Sequence, residues 1–61
     1  MNRIKEILEE KGLSQTELSS KLGKGFNMVN SYCCNRRQPS IETLFSIASI
    51  LGVKPSELIK D

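Results

Sequence analysis

Apolar residues recur along the chain at helical spacing and nowhere alternate. Ile4, Ile7 and Leu8 fall at i, i+3 and i+4, with Gly12 following as a stop. Ser14 stands three residues before Glu17, a capping-box pattern that opens a second helix with Leu18 and Leu22 on its inner side. Gly23 ends that helix, because the left-handed conformation of a helix terminus is cheap for glycine. A third helix is expected from about Phe26 to Cys34, with Gly25 as its N-cap and Asn35 as its left-handed end. Pro39 and Ser40 introduce a fourth, whose apolar stripe is Ile41, Leu44, Phe45, Ala48 and Leu51, closed by Gly52. Pro55 suits the first turn of a short fifth helix containing Leu58 and Ile59. The pattern predicts an all-α fold of five helices without internal repeats.

Sixty-one residues make a single domain, 1–61. A chain of this size buries only about 60% of its unfolded surface, so its helices must pack well or it must self-associate. It has no apolar run long enough to span a membrane, and Met1-Asn2-Arg3-Ile4-Lys5-Glu6 lacks the apolar core of a signal peptide. A cytoplasmic protein with no membrane partner is expected. The adjacent cysteines, Cys33 and Cys34, point in different directions on a helix and do not readily bridge each other, which excludes a disulfide scaffold. With no histidine present, two thiols do not close a zinc site. Both are read as small space-filling side chains. Oxidation of Cys34 would nevertheless put bulk on the polar side of its helix.

Charge changes the picture. From Leu18 to Ile41 there is no acidic residue, while Lys21, Lys24, Arg36 and Arg37 give that stretch +4. The other residues carry 5 basic and 7 acidic side chains, so a net +2 conceals a molecule basic in its middle and mildly acidic at its ends. Such a surface suits a polyanion. Plotted at helical periodicity, Val29 and Tyr32 fall on one side of the third helix, with Leu22 before them. Asn27, Asn30, Ser31 and Cys34 cluster on the other. Asn can bond adenine N6 and N7 together, and Ser can donate to or accept from several base edges.

Gln15, Ser19, Gly23 and Val29 have the spacing of a helix-turn-helix over about residues 14–34. A small residue at 19 lets two helices cross closely, Gly23 makes the turn, and Val29 plugs the joint. In that geometry the second helix enters the DNA major groove. Here the chain resembles the phage repressor and Cro-like helix-turn-helix family (the XRE family). The resemblance lies in LSQTELSSKLG, in NRRQPSIETLFSIASILGV and in the closing ELI. Departures are Ser19 for the usual alanine, Gly25 for a capping Ser or Thr, Cys33 for a frequent acidic residue, and Asn35 for the usual glycine.

The resemblance implies a five-helix, lambda-repressor-like fold and a sequence-specific regulator of transcription that binds double-stranded DNA, a repressor acting as a homodimer. It implies that Gly25 and Phe26 reach bases beside Asn27, Asn30 and Ser31. Phe26 would lie against a thymine methyl or pack on the preceding helix. Gln15, Lys24, Arg36, Arg37 and Gln38 would grip phosphates, with Cys34 beside them, and these contacts position more than they specify. Ile50 falls opposite Ile41, outside the fourth helix's stripe, and Val53 follows it. With Pro55, Ser56, Glu57 and Leu58 it makes the expected dimer surface. The alternative is an antitoxin-type or regulatory protein whose main task is to bind a protein partner. No His, paired acids or Ser-base arrangement suggests an enzyme, a small-molecule substrate, a metal or a cofactor.

Overall fold

The computed structural model describes residues 1–59 as four α-helices and one 3₁₀ turn. These are α1 (Ile4–Lys11), α2 (Gln15–Leu22), α3 (Phe26–Cys33), α4 (Ile41–Leu51) and the 3₁₀ turn Pro55–Leu58. The domain is all-α, but the fifth helix expected from the sequence is that single turn. Pro55 occupies its first turn, and the Glu57 carboxylate accepts a 2.7 Å bond from the backbone N–H of Lys54.

Local chemistry accounts for the boundaries. Ser14 Oγ accepts from the N–H of Glu17 at 3.0 Å, and Glu17 Oε1 accepts from the N–H of Ser14 at 3.1 Å, closing the capping box. Ser40 Oγ caps α4 by accepting from the N–H of Thr43. Gly23 ends α2 at φ 74°, its N–H bonded to the Ser19 carbonyl. Asn35 turns the chain after α3 at φ 60°, where Asn is tolerated far better than a branched residue. The third helix closes one residue earlier than expected, with Cys34 as its cap.

The core draws on every element: Ile4, Ile7 and Leu8 of α1, Leu18 of α2, Val29, Tyr32 and Cys33 of α3, and Leu44, Ile47, Ala48 and Leu51 of α4. Ser19 is buried as the close crossing of α2 requires, whereas Leu22, expected inside, is only half-buried. Two expectations for α4 fail. Ile47, absent from the predicted stripe, is completely buried, while Ile41 and Phe45 are 69% and 57% exposed. Phe45 follows Leu44 and is rotated about 100° from it, onto the flank of the helix. Ile41 is the first residue of α4, beyond the neighbouring core side chains.

Leu58 also departs from expectation. Its side chain is completely buried in the core, so it offers nothing to a partner surface. The two terminal segments meet beside it. The N–H of Arg3 donates to the Leu58 carbonyl at 2.8 Å, and Asn2 and Ile59 form an isolated antiparallel bridge. Asn2 is buried, and its Nδ2 donates to the Tyr32 carbonyl and to Gln38 Oε1, both at 2.9 Å. Its own N–H donates to Asn35 Oδ1 at 2.8 Å. The segment after α3 is thus tied to residue 2, a link without any local sequence signature.

Candidate nucleic-acid interface

The α2–turn–α3 unit is held by Leu18 and Val29, both completely buried, and by the turn at Gly23. With Val29, Tyr32 and Cys33 inward, the other side of α3 faces out. Phe26 is 48% exposed, Asn27 and Cys34 are exposed, and Asn30 and Ser31 are half-buried. Phe26 therefore does not pack as a core residue, leaving its ring available for contact. Gly25 starts α3 without a side-chain cap, leaving the positive end of the helix without a capping hydrogen bond from Gly25 itself.

The basic residues border this polar side. Lys24 follows the turn, and the backbone N–H groups of Arg36 and Arg37 both donate to the Ser31 carbonyl, at 3.0 and 3.3 Å. Among the described residues, the ion pairs are those of Arg3 with Glu6 and Glu10; none involves Lys21, Lys24, Arg36 or Arg37. No carboxylate among the described residues pairs with the four cations of the central stretch, which is the electrostatic condition for binding a polyanion.

Three expected site residues form one chain of hydrogen bonds. Asn30 Nδ2 donates to Gln15 Oε1 at 3.0 Å, and Arg36 Nη2 donates to Asn30 Oδ1 at 2.7 Å. The Cys34 thiol lies 3.9 Å from the same Oδ1. Asn30, expected to read bases, thus has both ends of its amide engaged within the protein. Gln38, expected to grip phosphate, has its Oε1 on Asn2 and its Nε2 on Asn35 Oδ1. Neither link could be read from the sequence: their partners lie 15 and 36 residues away and leave no periodic trace.

The cysteines divide. Cys33 is buried, and burial above all, with adjacent Cys34 adding to it and Lys5 opposing, pushes its thiol up to about 11. It fills space, as expected. Cys34 is exposed and does not, so the space-filling reading holds for one of the pair only.

On the expected dimer surface Ser56 and Glu57 are exposed and Pro55 is half-buried, whereas Ile50, expected outside the stripe of α4, is half-buried and packs against the core.

The chain matches the helix-turn-helix family model over residues 4–58. It is 30% identical over 60 residues to the cryptic phage CTXphi transcriptional repressor RstR of Vibrio cholerae, covering 98% of the chain and 54% of that repressor. The chain thus spans about half the length of that relative. Among solved structures it superposes on a Bacteroides fragilis protein with a TM-score of 0.97 and 38% identity, covering 98% of this chain and 97% of the other. It superposes on SinR, the master regulator for biofilm formation, solved in complex with DNA, with a TM-score of 0.84 and 34% identity, covering 95% and 94% of the two chains.

Proposed function

From its membership of the helix-turn-helix family of phage-repressor type, to which the chain belongs, we propose that it is a DNA-binding transcriptional regulator that places α3 in the major groove of double-stranded DNA. One observation carries the reading most: the exposed polar side of α3 is bordered by Lys24, Arg36 and Arg37, none of them paired with a carboxylate among the described residues. Gly25 allows close approach of the backbone. Phe26 meets a thymine methyl, and Asn27 and Ser31 bond base edges. Gln15, Lys24, Arg36 and Arg37 hold phosphates, beside exposed Cys34, while Gln38, its amide engaged by Asn2 and Asn35, shapes the turn that presents the two arginines.

The regulator acts in the cytoplasm as a repressor on a two-fold operator. Two copies join through Ile50, Pro55, Ser56 and Glu57, setting their α3 helices one DNA turn apart, about 34–36 Å. Selection from a random duplex pool tests the whole reading. A palindromic consensus supports it. No enrichment of any duplex overturns it in favour of a role in binding a protein partner.

A further inference from the structure

The Asn30 amide lies between Gln15 on one side and Arg36 with the Cys34 thiol on the other, and the guanidinium has fixed polarity. A guanidinium can only donate, so the Asn30 atom facing Arg36 Nη2 at 2.7 Å must be the acceptor Oδ1. Nδ2 is thereby directed to Gln15, which must present its own acceptor, Oε1, at 3.0 Å. The end of the Gln15 amide turned away from Asn30 is then Nε2, a donor. A phosphate diester accepts hydrogen bonds and donates none, so Nε2 is the end of Gln15 that it can use. A bidentate adenine contact would need Nδ2 and Oδ1 of Asn30 side by side against the base. Here the two atoms are held by residues of two different segments.

We infer that Asn30 is a positioning residue, a polarity relay from Arg36 to Gln15, and not a base reader. The inference rests on the DNA-binding mode proposed above. Arg36 fixes the direction of the Asn30 amide, and Asn30 fixes that of Gln15, so both flanks of the interface present donors to the duplex together. The relay predicts an asymmetry between substitutions. Asn30→Ala removes the constraint on Gln15. Asn30→Asp keeps the bond from Arg36 but offers only acceptors, so Gln15 turns Nε2 inward and Oε1 outward, toward the phosphate.

The probe is the duplex that the wild-type chain selects from a random pool. Asn30→Ala should weaken selected and random duplexes alike, by about tenfold, the worth of one strong hydrogen bond. Selection repeated with that variant should return the wild-type consensus, whereas Asn27→Ala should alter it. In a Gln15→Ala background, Asn30→Asp should cost several-fold less than in wild type, its residual loss reflecting added charge alone. NMR of the free protein gives a reading that needs no DNA: the Gln15 side-chain amide protons should become shifted and protected from exchange in Asn30→Asp. If Asn30→Asp does not fold, Arg36→Ala serves instead, because it alters an exposed side chain and should change the same Gln15 signals by releasing the relay. Three results overturn the relay and leave DNA binding standing: a consensus altered by Asn30→Ala, additive costs of Asn30→Asp and Gln15→Ala, or unchanged Gln15 signals in the folded variant used. A wild-type chain that enriches no duplex overturns the DNA-binding reading itself, and the relay with it.

Discussion

Asn27 and Arg36 are both exposed, and in the proposed binding mode they make different demands on DNA. Asn27→Ala should redistribute base preference, each lost base contact being worth about 1–3 kcal/mol of discrimination. Arg36→Ala should weaken all duplexes together and lower the salt dependence by about one unit. Equilibrium titrations at several salt concentrations, on selected and random duplexes, separate the two; equal losses on both for Asn27→Ala would reassign the reading face. The thiols give a second contrast at this scale. Exposed Cys34 should react with an alkylating reagent in the native protein, and buried Cys33 only on unfolding, so mass spectrometry should show one adduct before denaturant and two after. The raised Cys33 value also sets a sign. Between about 9 and 11 the folded state holds a proton that the unfolded chain has released, so this group's contribution to stability is fully present below 9 and is lost as pH rises through that window. A Cys33→Ala variant should show a smaller loss of stability than wild type across the same window.

Elements were legible in the sequence where their signals are local. The Ser14–Glu17 box, the glycine stops and the proline at residue 55 lie within a few residues of what they control, and each marks an end the structure has. Gly23→Ala should cost about 1 kcal/mol or more, because φ 74° suits a residue without a Cβ, and a thermal melt reads the loss directly. Which side of a helix is covered depends on neighbours that periodicity does not see. The sequence pattern therefore included Phe45 in the stripe of α4 and omitted Ile47, although α1, α2 and the 3₁₀ turn cover the side with Ile47. The exposed polar side of α3 was legible because the inward residues Val29 and Tyr32 left the polar ones a single direction. The bonds of Asn30 to Gln15 and of Gln38 to Asn2 were not, since each joins segments far apart in sequence. Val29→Asp should abolish folding and not binding alone, because an unpaired carboxylate at the joint of α2 and α3 has no partner and no water. A normal cooperative melt for that variant would contradict the packing described.

At the scale of the whole molecule, the proposed assembly and the observed chain closure both involve the 3₁₀ turn. The core takes Leu58, and the surface left to a second copy, around half-buried Ile50 and Pro55, is small. Pairing should therefore be weak in free protein and strong on a palindromic duplex. Sedimentation with and without DNA should show two chains per full site, and an Ile50→Glu, Pro55→Glu variant should lose cooperativity; one chain per site at saturation would defeat the dimer. The Arg3–Leu58 hydrogen bond and the Asn2–Ile59 bridge bring residues 55 and 57 apart in sequence into direct contact. The described chain thus closes nearly into a ring. A circular permutant that joins residue 59 to residue 2 through a short flexible linker, with new termini opened between Gly52 and Val53, should melt cooperatively and keep the duplex preference of the parent.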